Sequence, residues 1–281
     1  MICVRSEHDL RQALAGAVFR GADVGFVPTM GALHVGHRSL VERARRENPV
    51  CAVSIFVNPL QFDDAADLDL YPRTEKEDLA LLESVGVDVV LIGRRDDLYP
   101  AGFATAVEVG RVTAGGEGAH RAGHFRGVTT VVAKLLLMFQ ARRAYFGWKD
   151  MQQCCVIRRM VRDLSIPVEV VPCAIVREAD GLASSSRNRR LGPEDRARAP
   201  RIFAALGAAR DLWRSGTREA AALEGLVRSR LEPDFVVDYV EFRSEDDYAL
   251  VADPIGRGRI VIAARLGNVR LLDNLAIDEA G

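Results

Sequence analysis

The side chains best suited to phosphate chemistry in this sequence are His34 and His37, three residues apart, and Lys149. The histidines stand in the run Pro28-Thr29-Met30-Gly31-Ala32-Leu33-His34-Val35-Gly36-His37. Ahead of it Val24-Gly25-Phe26-Val27 is short and apolar and reads as a buried strand. Behind it Leu40, Val41 and Ala44 fall at the spacing of a helix face, so the run is a strand-to-helix turn. Gly31 and Gly36 let the backbone come close to a ligand. The first helical turn offers unpaired N–H groups and the positive end of the dipole, which suits phosphate. Imidazoles placed there donate to phosphoryl oxygens or to the atoms leaving them. Two histidines at a helix start also serve as ordinary caps or packing residues. Lys149 follows Gly147 at a strand end, where its ammonium reaches a triphosphate or simply faces water. Ser184-Ser185-Ser186-Arg187 sets hydroxyls and a guanidinium on a polar loop, able to close over a triphosphate or to act as a solvated linker.

The elements that must position these residues follow from the apolar pattern. Leu10, Leu14, Ala17 and Val18 give a helix over 7–19, with Ser6 as its cap. Residues 50–57 form an almost continuous apolar run, expected of a parallel strand covered on both faces, and end in Asn58-Pro59-Leu60-Gln61-Phe62. Thr74 and Glu77 have capping-box spacing before Leu79 and Leu82, with Gly86 as the stop. Further strands are expected at 88–92, 144–147 and 168–171, and further helices after His124 and after Lys149-Asp150, where Asp150 would cap. Residues 110–123 are glycine-rich and are expected to form a mobile loop. Alternation of strand and helix through this half predicts a Rossmann-like, doubly wound parallel sheet over 1–175. From residue 176 the pattern changes to a polar stretch, helices starting at Gly192-Pro193-Glu194 and near Thr217, and strand candidates at 235–242, 259–264 and 269–272. A smaller C-terminal α+β domain with an antiparallel sheet, 176–281, is expected.

The bulk composition narrows the partners. Of 281 residues 48% are hydrophobic and 27% charged, which is globular rather than disordered. Lys+Arg 38 against Asp+Glu 39 gives a net charge of -1, against a dedicated nucleic-acid binder. The run 128–139 carries Lys134 and is too short to span a bilayer. Met1-Ile2-Cys3-Val4 meets Arg5, Glu7 and Asp9 at once, so no signal peptide and a cytoplasmic location are expected. Five cysteines without a repeating spacing read as reduced, mostly buried thiols.

Five segments in chain order resemble the pantothenate synthetase (pantoate–β-alanine ligase) family of the HIGH-motif nucleotidyltransferase superfamily. They are PTMGALHVGH at 28–37, SIFVNPLQF ending at Phe62, GHFRGV at 123–128, FGWKDMQQ at 146–153 and READGLASSSRN at 177–188. The resemblance implies condensation of pantoate with β-alanine through a pantoyl adenylate, with ATP as substrate, Mg2+, and a homodimer. It places Met30 to His37, Gly147, Trp148, Lys149, Asp150, Val176 and Ser184 to Arg187 at ATP, with Asp150 at the ribose and Val176 offering backbone to adenine. His37 would be a proton donor, with His34 and Lys149 beside it in catalysis. Gln61 and Gln153, amides that both donate and accept, would hold pantoate, and Gln61 would also meet β-alanine. Asp78, with Glu77 next to it, is the expected contributor to a magnesium site. His124 and Arg126 are expected to shape a loop rather than react. Trp148 and Met151 depart from the family's commoner residues, as do Arg38 and Ser184.

Two other readings compete with this one. Another nucleotidyltransferase of the superfamily would act on a phosphorylated acceptor and call for cations where Gln61 and Gln153 stand. A non-catalytic RNA binder would use Arg187, Arg189 and Arg190, against the near-zero net charge.

Overall fold

The computed structural model describes residues 1–19, 23–63, 65–252 and 258–277. Its contacts divide into two units, Met1–Arg111, Arg121–Trp148 and Val156–Ala174 in the first, and Val112–His120, Lys149–Cys155 and Ile175–Gly281 in the second.

The first unit is built on a parallel sheet of six strands in the order β1-β4-β3-β2-β5-β6. The strands are β1 (Ile2–Val4), β2 (Val24–Thr29), β3 (Val50–Ile55), β4 (Val89–Ile92), β5 (Arg143–Gly147) and β6 (Glu169–Cys173). Five of them match the apolar runs read above, and β1 is new. It is three residues long and only Val4 of it is buried, so it has almost no hydrophobic signature. β2, β3 and β4 are buried along nearly their whole length, as a sheet covered on both faces requires. The helix Val35–Glu47 supplies Leu40, Val41 and Ala44 to one core, with Val27, Val53, Val90 and Leu82. The helix His124–Phe139 stacks Phe139 on Phe26 at 4.0 Å between ring centroids. The helix Glu7–Phe19 starts at Ser6, whose hydroxyl accepts from the Asp9 N–H at 3.1 Å, and buries Leu10 and Leu14. The side chains of Ala17 and Val18 lie outside the described residues.

The expected capping box at Thr74 and Glu77 does not form. Thr74 begins the helix Glu75–Val85 without a side-chain cap, and its hydroxyl donates to Asp78 instead. Gly86 ends that helix in the left-handed conformation, as read.

Sheet order locates the ligand edge. From β2 the chain goes to β3 on one side, while β5 takes the other side. β2 pairs with β3 at six positions, Val24 to Thr29, but with β5 only at Gly25 and Phe26. Beyond that the carboxyl ends of β2 and β5 part, which is where an open α/β sheet binds its ligand.

The second unit carries an antiparallel sheet, β7 (Val236–Ser244), β8 (Gly258–Leu266) and β9 (Val269–Ala276), backed by the helices Arg201–Arg214 and Ala220–Leu231. Residues 110–123, expected to be mobile, contain the helical turn Glu117–His120. Glu117 is buried, accepts from Tyr239 Oη at 2.9 Å and pairs with Arg270 at 2.7 Å. Gln152 Oε1 accepts from the Glu117 N–H, and its amide nitrogen donates to the carbonyls of Val112 and Gly115. The glycines here let chain pass under Arg243 and Tyr248, which a Cβ at Gly115 or Gly116 would strike. Four cysteines, Cys51, Cys154, Cys155 and Cys173, are buried and Cys3 is exposed. Among the described residues no helix is long and apolar enough to cross a membrane.

Candidate active site

The turn after β2 is held by its own backbone. Gly31 and Ala32 both take positive φ, +78° and +49°. The reversal drops Ala32 and Leu33 into the core and brings His34 to the start of the helix Val35–Glu47. His34 is the N-cap: its Nδ1 accepts from the Gly36 N–H at 3.1 Å. A neutral His34 ring therefore carries its proton on Nε2 and presents a donor. The His37 ring lies 4.2 Å from it between centroids, tilted by 50°. The cap uses Nδ1 alone, so capping and ligand chemistry, set against each other in the sequence, are compatible on the two nitrogens of one ring.

Gln61 comes to the same turn from the next strand. It ends the short 3-10 helix Pro59–Gln61, capped by Asn58, and is 9% exposed. Its Nε2 donates to Met30 Sδ at 3.1 Å, and its Oε1 accepts from Asn58 Nδ2 at 2.9 Å. Asn58 also donates to the Gly127 carbonyl and accepts from Tyr99 Oη. His124 Nδ1 lies 2.7 Å from the Gln61 carbonyl, so His124 shapes the loop as expected. Arg121 reaches the same carbonyl and pairs with Asp63 at 3.0 Å. Burial works against the Asp63 carboxylate, yet Arg121 holds it below the usual carboxylate range. Asn58 and Arg121 were not singled out in the sequence. The signal for Asn58 was present, an Asn before Pro opening a turn.

Gly147 ends β5, the strand that parts from β2, and Trp148 opens the 3-10 turn Trp148–Asp150 that follows; both are half-buried. In the second unit Lys149, Ser185, Arg187, Asn188 and Arg270 line one small hollow. Lys149 Nζ stands 3.5 Å from Asp150, and its side chain is 17% exposed, far from a free surface lysine. The polar stretch after Val176 is a tight hairpin rather than a loose linker. Ser184 N–H donates to the Val176 carbonyl, Glu178 N–H to the Leu182 carbonyl, and Arg177 bridges Ala183. Arg177 makes a bidentate pair with buried Asp273 at 2.7 and 2.9 Å and lies 3.9 Å over the Phe203 ring. Ser185 caps the 3-10 turn Ser186–Arg190. The buried Ser184 hydroxyl has no partner among the described residues. Of the adjacent glutamines, Gln152 is buried and spent on the 112–117 segment, while Gln153 is half-buried.

The acidic groups do not fit a protein-held metal. Asp78 is 3% exposed and turns both oxygens to the backbone, Oδ2 to Ala32 N–H at 2.9 Å and Oδ1 to Leu33 N–H at 2.7 Å. Glu77 is exposed beside it. No group of three His, Cys, Asp or Glu side chains among the described residues is placed to hold an ion.

A doubly wound parallel sheet with a histidine-bearing turn where the order reverses defines a nucleotide-type α/β enzyme. Comparison with known proteins narrows this. The family model for pantoate-beta-alanine ligase matches residues 2–276. A pantothenate synthetase of Cereibacter sphaeroides is 51% identical over 275 residues, 98% of this chain and 99% of that protein. A crystal structure of the Thermus thermophilus pantothenate synthetase superposes with a TM-score of 0.94 at 48% identity, covering 99% of each chain. The Francisella tularensis pantoate-beta-alanine ligase, solved with beta-gamma ATP and β-alanine, gives 0.83 at 32% identity, covering 100% of this chain and 99% of that one. The chain belongs to the pantoate–β-alanine ligase family and is a ligase.

Proposed function

We propose that the chain condenses (R)-pantoate with β-alanine at the expense of ATP, through a pantoyl adenylate, with release of AMP and diphosphate. The observation that carries this reading is the family match over 2–276, with the histidine turn seated where β2 and β5 part. The relative solved with beta-gamma ATP and β-alanine supports both substrates.

In the first step a pantoate carboxylate oxygen attacks the α-phosphorus and the bond to pyrophosphate breaks. Little covalent help is needed, and positioning with charge neutralisation does most of the work. His34 and His37 donate to phosphate from the start of their helix, with His37 as the proton donor. Lys149, Ser184, Ser185, Ser186 and Arg187 take the phosphates, and Met30 to Leu33, Val35, Gly36, Gly147, Trp148 and Asp150 line the nucleotide. Val176 offers backbone groups to adenine, its carbonyl also accepting from the Ser184 N–H. Gln61, oriented by Asn58 and Met30, and Gln153 hold pantoate. In the second step the β-alanine amine attacks the acyl carbon and AMP leaves. The reading includes a nucleotide-binding catalytic portion over 1–175 with a smaller lid over 176–281, and a cytoplasmic homodimer.

The test is ATP–pyrophosphate exchange. Exchange should require pantoate and be independent of β-alanine. Exchange that ignores pantoate would sink the proposed substrate.

A further inference from the structure

The histidine turn is held from a distance by one buried carboxylate. Successive backbone N–H groups in a turn can point to one side and make a concave anion cradle. Gly31 and Ala32 make such a turn here, and the N–H groups so aimed are those of Ala32 and Leu33. Both residues are buried, at 0% and 5% exposure, so neither N–H has water to turn to. The anion in the cradle is Asp78, 46 positions along the chain from Ala32. Its own place is set by Thr74, whose hydroxyl donates to Oδ1 at 3.2 Å. The fit leaves no slack: a Cβ on Gly31 would come within 3.0 Å of Asp78 Oδ2 and 3.1 Å of Ile55. The next residue after the clamped pair is His34, the helix cap, with His37 one turn on.

We infer that Asp78 is a positioning residue: its carboxylate fills the backbone cradle of the turn and thereby fixes where His34 and His37 stand. Phosphate cannot use this cradle, because the protein supplies the anion itself. Phosphate is left the imidazoles and the helix start. The same geometry removes Asp78 from magnesium binding, since both oxygens face N–H groups. The kinetic arm of the test rests on the proposed ligase reaction, while its structural arm does not.

Asp78→Asn keeps the shape and sets an NH2 against one of the two N–H groups. Alanine is the poorer choice, because it would open into a cavity of about 400 Å³ that Asp78 helps to line. In Asp78→Asn, kcat for pantoate-dependent exchange should fall about 100-fold, the scale of an ångström-sized misplacement. KM for pantoate should stay within about twofold and the magnesium concentration for half-maximal rate should not move, since neither is this residue's charge. Thr74→Val, which loosens the carboxylate by one hydrogen bond, should lose about two- to tenfold in kcat in the same pattern. Amide hydrogen exchange at Ala32 and Leu33 should speed up in both variants, whatever the enzyme's substrate. If Asp78→Asn does not fold, Thr74→Val decides alone. Wild-type exchange at both amides and wild-type kcat would overturn the inference. So would a rate restored by high magnesium, which would make Asp78 a metal ligand. A wild-type protein without pantoate-dependent exchange would instead fault the substrate, and the two amides would still judge the clamp.

Discussion

At the scale of single residues, His34 joins an observed structural role to a proposed chemical one. Its Nδ1 closes the helix start by accepting from Gly36, so a neutral ring carries its proton on Nε2. The two roles separate by substitution. Asparagine is among the best N-caps, whereas alanine at a cap costs about 0.5–2 kcal/mol. His34→Asn should therefore keep the thermal midpoint while losing the rate of adenylate formation, and His34→Ala should lose both. A His34→Asn protein with full exchange activity would reduce His34 to a cap. The spacing of the two histidines and the apolar face behind them were legible in the sequence because they are local. The Asp78 clamp was not, because a carboxylate 46 residues away carries no mark of the backbone it faces. Local spacing even misled: Thr74 and Glu77 fit a capping box, in which the threonine hydroxyl would accept from a backbone N–H, but it donates to the buried Asp78 carboxylate instead.

At the scale of elements, the 3-10 helix Pro59–Gln61 is positioned by contact with the helix His124–Phe139. Gly127 makes that contact possible, since a Cβ there would sit 2.2 Å from the Leu60 carbonyl oxygen and 2.6 Å from the Gln61 N–H nitrogen. Both are backbone atoms and cannot swing aside. Gly127→Ala should push Gln61 away from Met30 and weaken pantoate binding by roughly 1–3 kcal/mol, as for a hydrogen bond left unmade, with ATP binding little changed. Calorimetry showing unaltered pantoate affinity in a folded Gly127→Ala protein would refute the link. The strands and helices of the parallel sheet could be read from apolar runs because β2, β3 and β4 are buried on both faces. The segment 110–123 could not. Its glycines read as looseness, whereas they make room for Arg243 and Tyr248, and its order comes from Glu117, Arg270 and Gln152, far apart in the chain.

At the scale of the whole molecule, the proposed reaction divides in two and the residues should divide with it. Negative charge moves onto pyrophosphate only in the first step, so an ammonium beside those oxygens stabilises that transition state more than the ground state. Lys149→Ala should lose roughly 2.7–4 kcal/mol there, about a hundred- to a thousand-fold in rate. Preformed pantoyl adenylate with β-alanine should suffer far less. Single-turnover kinetics from each starting point make the comparison, with circular dichroism to confirm folding. Equal losses would mean that Lys149 holds the adenylate or the fold. The five motifs that carried the family resemblance end at Asn188, and the antiparallel sheet beyond them was readable only as a class.

The hairpin that carries the serines has a mechanical consequence. Arg177 is tied to Asp273 on β9 by two charge-assisted bonds and stacked on Phe203, and Asn188 ties the far end back to Glu178 and Ala183. Breaking a buried pair of that kind costs about 3–5 kcal/mol. Thermal energy should not release it often, so the serines are expected to stay with the hairpin. They ride as a stiff arm on β9, and any stroke that carries them toward a ligand must carry the strand as well.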